Sequence, residues 1–195
     1  QPNPNAMSLA TTDADGRHSA RMVLCKGIEP DPGVFEFFTN YNSRKAHALE
    51  ATRRAALLLH WDHLERQIRV EGPIVRSSAA RSDEYFSSRP WESRIGAWAS
   101  EQGQPIASRE AMLERLMITM TRFGLDPFNP PAEGASVQIP RPPHWGGYRL
   151  HAERIELWVS GPGRLHDRGV WTRTLTPDAS GGYSGGTWSS TRLQP

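Results

Sequence analysis

The sequence predicts a mainly β domain that carries a few helices, of the barrel-like kind. Short runs of strand-forming side chains recur, separated by Gly, Pro and Asp turns. A few segments with helical spacing begin at serines suited to capping. No repeat or linker interrupts the chain, so its 195 residues are expected to form one domain, 1–195, with a full core.

Residues 8–12 and 19–25 flank the turn Asp13-Ala14-Asp15-Gly16 and are expected to form a hairpin. A loop with Pro30, Pro32 and Gly33 leads into a strand at 34–39. Ser43 is placed to cap a helix over 44–52. The continuous apolar stretch 55–61 suits a buried strand, and 67–72 alternates as a half-exposed strand should. A helix over 78–88 stops before Pro90, and a shorter one is expected from near Ser93. Ser108 can cap a longer helix ended by Gly124, with Leu113, Leu116, Met117, Met120 and Phe123 as a packing stripe. The stretch 126–143 holds six prolines and reads as an extended loop, because core strands at 148–150 and 155–159 follow it. The glycine-rich 181–186 suits a mobile hairpin tip before 187–193.

Composition excludes several classes. No run approaches the roughly eighteen apolar residues of a membrane span. Residues 1–6 carry neither a basic patch nor an apolar stretch, so no secretory leader is expected. The chain lacks an initiating methionine, so further N-terminal sequence is expected to be missing. Cys25 alone forms no intramolecular disulfide, which fits a reducing, cytoplasmic setting. A net charge of +2, with the arginines scattered among 21 acids, argues against nucleic acid. His60-Trp61-Asp62-His63 lacks further ligands, so no metal is expected. Gly161-Pro162-Gly163 lacks the context of a dinucleotide loop, and Cys25 sits too deep in an apolar strand for a nucleophile.

Of the 23 basic residues only Lys26 and Lys45 are lysines, and both fall in segments with chemical potential. Ser43-Arg44-Lys45 places two cations at a helix start, where the dipole disfavours them unless an anion such as phosphate offsets it. Tyr85 and Arg89, four apart on a predicted helix, share a face, with the Ser93 hydroxyl beyond; such a set suits a phosphate monoester. In an extended 164–168, Arg164, His166 and Arg168 share one face; spacing leaves open a ring-bearing anionic ligand or a salt-bridged surface strand. Arg21 and Lys26 point to opposite faces of their strand unless a bulge intervenes, and equally suit solvated strand ends.

Arg164-Leu165-His166-Asp167-Arg168, preceded by Glu156-x-Trp158, resembles the C-terminal signature of the pyridoxine/pyridoxamine 5'-phosphate oxidases. Asn5-Ala6-Met7, 21–26, Asn40-x-x-Ser43-Arg44-Lys45-Ala46-His47, 64–67, Tyr85-Phe86-x-Ser88-Arg89-Pro90, 95–102 and Trp145-Gly146-Gly147 resemble family segments in the family's order. The resemblance implies an FMN-binding split β-barrel, working as a homodimer with flavin mononucleotide at the interface. It implies oxidation of pyridoxine or pyridoxamine 5'-phosphate to pyridoxal 5'-phosphate, with O2 as acceptor. Flavin contacts would come from Arg21, Met22, Val23, Leu24, Cys25, Lys26, Phe38, Thr39, Arg44, Lys45, Gln67, Gln102, Trp158 and Arg168. Lys26, Tyr85, Arg89 and Ser93 would grip the substrate phosphate, with Arg164 and His166 facing the pyridine ring as the catalytic pair.

The sequence departs from the pattern at Leu157, usually aromatic, at Val159, commonly glutamine, and at Gly103, often serine. The proline-rich loop is longer than is typical, and the family's N-terminal covering segment is expected to be absent. Two rivals share the scaffold: the phenazine-biosynthesis flavin oxidases, and flavin- or haem-binding modules without catalysis.

Overall fold

In the computed structural model, which describes residues 2–179 and 181–195, strand propensity and turn chemistry produce a largely antiparallel sheet with helices. β1 (Ala6–Thr12) and β2 (His18–Leu24) pair from Ala6↔Leu24 to Thr12↔His18. Their turn closes because Gly16 adopts φ +81° and Asp13 Oδ1 accepts the N–H groups of Asp15 and Arg17. A three-residue strand not apparent from the sequence, β3 (Gly27–Glu29), pairs with β4 (Val34–Asn40). α1 (Arg44–Thr52) has its predicted bounds. Ser43 precedes it, but its hydroxyl donates to Asn40 O at 2.7 Å while its carbonyl accepts the His47 N–H at 3.1 Å.

β5 (Arg54–Trp61) corrects the expectation of a buried strand. Only Leu57 and Leu59 are buried, because antiparallel neighbours β1 and β6 leave one face outward. β6 (Arg66–Arg76) runs beyond the expected 67–72. One edge of its first half, Arg66 to Glu71, pairs with β8 (Arg154–Val159). Ile74 to Arg76 instead pair with β7 (Trp145–His151). Between them lies Gly72, where an added β-carbon would strike the His151 carbonyl oxygen. β9 (Asp167–Thr172) continues the sheet from β8 and receives β12 (Ser189–Leu193) on its far side. β10 (Leu175–Pro177) and β11 (Tyr183–Gly185) form a separate ladder, so Tyr183 to Gly185 lie in a strand and not in the hairpin tip.

α2 (Ala79–Ser87) and α4 (Arg109–Arg122) begin as expected, Ser78 Oγ and Ser108 Oγ each accepting an N–H at 3.2 Å. α3 (Trp91–Ala99) starts two residues before Ser93, since Pro90 supplies a ready-made entry with φ −51°. The α4 stripe packs only at its C-terminal end: Met120 is buried and Leu116 and Phe123 lie against the core, but Leu113 and Met117 are 46% and 40% exposed. The proline-rich loop is held to one face of α3. Trp91 Nε1, Arg94 Nη1 and Trp98 Nε1 donate to the carbonyls of Ala132, Val137 and Pro140 at 3.3, 2.8 and 2.8 Å.

The chain forms two compact units, one of Gln1–Phe37, Ala48–Arg76 and Tyr148–Pro195, the other of Phe38–His47 and Ser77–Gly147. The first has a core including Met7, Leu9, Phe37, Val70 and Leu150; the second centres on Phe86, Trp91, Ile95, Met120, Ile139 and Trp145.

His151, buried on β7 with its ring 5.3 Å from that of Tyr183, gives the first unit a pH response. Burial and the Arg149 charge push its pKa below the ordinary value, outweighing Asp178 and the Tyr183 backbone. The folded state therefore holds the ring neutral while the unfolded chain takes up a proton below about pH 6.5, so stability is lost as pH falls through that value. Thermal melts from pH 7.5 to 5 should show Tm falling with acid, and His151→Leu should flatten that dependence.

Candidate active site

In the second unit, the start of α1 gathers a polar cluster. Lys45 Nζ donates to Gln102 Oε1 at 2.6 Å, Thr39 Oγ1 at 3.1 Å and Ser43 Oγ at 3.1 Å. Thr39 Oγ1 also donates to Gln102 Oε1 at 3.2 Å, tying β4 to the segment after α3. Three predicted cofactor residues, Thr39, Lys45 and Gln102, thus meet across 63 positions of sequence. Arg44 lies exposed on the first turn of the helix. A lysine, a helix N-terminus and hydroxyls form a donor set suited to a phosphate-bearing cofactor.

The same unit stacks aromatic rings beside a guanidinium. Phe38 lies 4.0 Å from Tyr85 at 20° and 5.5 Å from Trp145 at 11°, so its ring joins this stack. Arg89 follows α2, its N–H bonded back to Phe86 O at 3.2 Å, which keeps the turn that Tyr85 shares. Its guanidinium lies 4.7 Å from the Trp145 ring centroid, and buried Nη1 has no hydrogen-bond partner among the described residues. Burial depresses the Arg89 pKa, Tyr85 opposing and Arg94 reinforcing the effect. Ser93 is half-buried within the first turn of α3, close to the helix start where it was expected.

In the first unit, Gln67, Trp158 and Arg168 form one row across β6, β8 and β9, since Gln67 pairs with Trp158 and Trp158 with Arg168. Directly paired residues share a face, so three predicted flavin contacts lie side by side. His166 packs on Trp158 with ring centroids 4.7 Å apart, and its Nδ1 accepts the Gly161 N–H at 3.3 Å. That contact leaves Nε2 to carry the proton of the neutral ring. Arg164 breaks the extended-segment expectation. It closes a short 3-10 turn, Pro162–Arg164, at φ +64° and is exposed, so period-two alternation does not reach it.

Arg168 finds its anion within the chain. Its Nε and Nη2 donate to Glu156 Oε1 at 3.1 and 2.7 Å. Arg154 and Arg69 reach Glu156 Oε2 at 3.1 and 3.5 Å. The salt-bridged alternative therefore holds for Arg168, though the acid is Glu156; Asp167 pairs with Arg192 at 3.6 Å. Burial would raise the Glu156 pKa, but the Arg168 hydrogen bonds and the three guanidinium charges outweigh it and hold the carboxyl below the usual range. Sequence spacing showed Glu156 only as part of a signature, because its partners come from three strands.

Arg21, on β2, donates to Leu9 O at 2.9 Å and Thr11 Oγ1 at 2.7 Å and contacts Ser19 Oγ. Met22, Val23 and Leu24 follow on the strand, Met22 64% exposed. Cys25 lies just past β2, buried, its thiol pKa pushed up chiefly by that burial. Lys26 also lies beyond β2, its N–H bonded to Glu36 O at 2.8 Å, so strict strand alternation with Arg21 does not apply. It lines a cavity of about 410 Å³ with Cys25, Ile28, Phe35, Trp61 and Ile68.

The family model described as pyridoxamine 5'-phosphate oxidase matches residues 2–117, and that of the pyridoxine 5'-phosphate oxidase C-terminal dimerisation region matches 145–195. The chain belongs to the pyridoxamine 5'-phosphate oxidase family. The pyridoxine/pyridoxamine 5'-phosphate oxidase of Burkholderia cenocepacia (strain HI2424) is 50% identical over 194 residues, 100% of this chain and 81% of the relative. Its counterpart in Cupriavidus necator is 49% identical over the same shares. Among solved structures, PhzG from Burkholderia lata 383, in complex with tetrahydrophenazine-1-carboxylic acid, has a TM-score of 0.80 at 29% identity, covering 99% of this chain and 83% of that one. A pyridoxamine 5'-phosphate oxidase-related, FMN binding protein from Nostoc punctiforme shares the fold, with a TM-score of 0.68 at 16% identity, covering 98% and 89%. The fold is the mainly β split barrel with helices, and membership supports an oxidoreductase. No helix among the described residues is long and apolar enough to cross a membrane.

Glu156→Gln should leave three arginines facing a neutral amide. Urea unfolding should show a loss of about 2 kcal/mol, a discounted figure because the arginines are partly exposed.

Proposed function

We propose that the protein oxidises pyridoxine 5'-phosphate and pyridoxamine 5'-phosphate to pyridoxal 5'-phosphate, using FMN and O2 and releasing H2O2, with ammonia from the amine. Arg89 carries the reading: a buried guanidinium N–H with no partner among the described residues, beside Tyr85. A buried unmet donor is costly, and a phosphate oxygen would satisfy it by a charge-assisted bond. Lys26 and Ser93 would join Tyr85 and Arg89 in that grip.

The donors around Lys45 and Gln102 fit the FMN phosphate, with Arg44 beside them. Gln67, Trp158 and Arg168 form an aromatic-polar row fitted to a flat ring system, and Arg21 to Lys26, Phe38 and Thr39 complete the set. FMN, when bound, supplies the two-electron acceptor that oxygen restores. Phosphate contacts remote from the reacting carbon fix the substrate pose. His166, oriented by Trp158 and Gly161, offers its Nε2 proton to the reacting group, and Arg164 orients the pyridine ring. The C-terminal dimerisation match supports a homodimer, and the bacterial relatives, together with this chain's lone Cys25, support a cytoplasmic setting.

A second reading has one observation in its favour, the likeness to PhzG. A tricyclic carboxylate has no need of a phosphate grip around Arg89, and the relatives at 49–50% identity carry the vitamin B6 name. Protein loaded with FMN should consume oxygen with pyridoxamine 5'-phosphate and form an aldehyde. Turnover of a dihydrophenazine with none of either B6 phosphate would establish the rival. Arg164→Ala should keep its flavin absorbance while kcat/KM falls about a hundredfold, comparable to losing a charged contact of about 3 kcal/mol. Arg44→Ala should do the reverse, losing flavin on dialysis and losing it faster in high salt.

A further inference from the structure

We propose that Trp145 is a positioning residue for the substrate phosphate, holding the Arg89 guanidinium through its indole face so that the N–H donors stay available to the ligand. This rests on the phosphate-grip reading above and assigns a role to a residue outside that grip.

A partly buried cation can be held in two ways. A carboxylate would fix a guanidinium strongly but occupy its donors, as Glu156 does to Arg168 through two bonds to one oxygen. An aromatic face attracts the charge without accepting an in-plane N–H, so the donors remain for a ligand. Arg89 is in the second situation. Its Cζ lies 4.7 Å from the Trp145 ring centroid and 5.5 Å from that of Phe86, and Nη1 is buried without a partner among the described residues. The nearby Arg94 charge opposes the ionised form, while Tyr85 favours it.

Trp145 is itself clamped. Its ring is nearly parallel to those of Phe38 and Tyr85, at 11° and 10°, and Phe86 meets it edge-on at 5.0 Å. Its carbonyl accepts Arg141 Nη1 at 2.7 Å, and Arg141 Nε donates to Asp83 Oδ1 at 2.7 Å. The Trp145 N–H donates to Pro142 O at 3.1 Å. The next two residues must be glycines: a β-carbon at Gly146 would strike the Tyr41 hydroxyl, and one at Gly147 would strike Ser77 Oγ. The strand therefore passes close against its neighbours immediately after the indole. Both rings that Trp145 parallels belong to segments already assigned to the site, so the stack links the phosphate grip to β4.

The test uses FMN-loaded protein, with inorganic phosphate as a competitive probe beside pyridoxamine 5'-phosphate. Trp145→Leu should raise KM for the substrate about tenfold and raise the phosphate inhibition constant by a similar factor, the range of a desolvated cation–ring contact. Flavin absorbance per chain should stay unchanged and kcat should fall less than about threefold. Trp145→Phe, which keeps a ring of smaller face, should raise both constants only about two- to threefold. If Trp145→Leu yields no folded, flavin-loaded protein, the Phe variant decides alone: a parallel rise supports the proposal, and unchanged constants overturn it. A KM that moves without the phosphate constant, or neither moving in folded Trp145→Leu, also overturns it. Arg89→Ala separates the two levels. If it leaves both constants unchanged, the phosphate grip itself fails; if it raises them while Trp145→Leu does not, only the role of Trp145 fails.

Discussion

The sheet depends on one close approach, the His151 carbonyl against the bare α-carbon of Gly72. β6 is committed on both sides there, to β5 from Arg66 to Pro73 and to β8 then β7 along its other edge. The handover happens within Gly72-Pro73, and the chain leaving β7 must pass close enough for the Glu153 N–H to reach Glu71 O at 3.0 Å. A β-carbon at residue 72 would meet main chain, which has no rotamer with which to yield. Without that passage, β8 could not lie beside β6, and the row of Gln67, Trp158 and Arg168 would not exist.

The arginine cluster of the first unit and Arg89 of the second are held in opposite ways. In the first, Glu156 draws Arg69, Arg154 and Arg168 onto one buried carboxylate, so charges that crowd three adjacent strands become mutually supporting. Its geometry, more than the number of ion pairs, makes the arrangement count, since exposed pairs contribute little. In the second, Arg89 has rings for neighbours and its buried Nη1 has no hydrogen-bond partner among the described residues. A charge balanced within the fold contributes to structure whatever else it touches, whereas a buried donor left without a partner marks a seat for something the fold does not supply.

Local chemistry was legible in the sequence wherever one segment contains the whole cause. The Asp13–Gly16 turn, the Ser108 cap and the bounds of α1 all follow from neighbours within a few residues. The three-residue β3 escaped notice because its pairing with β4, and not its own composition, makes it a strand. The apolar run of β5 suggested full burial, but only the sheet shows that alternate side chains face outward. Arg164 was misplaced for a backbone reason: a positive φ inside a glycine-bearing turn cannot be read from residues spaced two apart. Of the candidate site, the family signature named the residues expected there, while their partners, Gln102 for Lys45 and Glu156 for Arg168, required the fold.

The scarcity of amines acquires meaning beside the proposed chemistry. An aldehyde product condenses with unprotonated primary amines, and this chain offers two side chains of that kind, its other basic residues being guanidinium groups that resist such condensation. One of the two, Lys45, has its nitrogen engaged by three side-chain oxygens. For the proposed reaction, a chain so built presents few side chains on which its own aldehyde product could become covalently trapped.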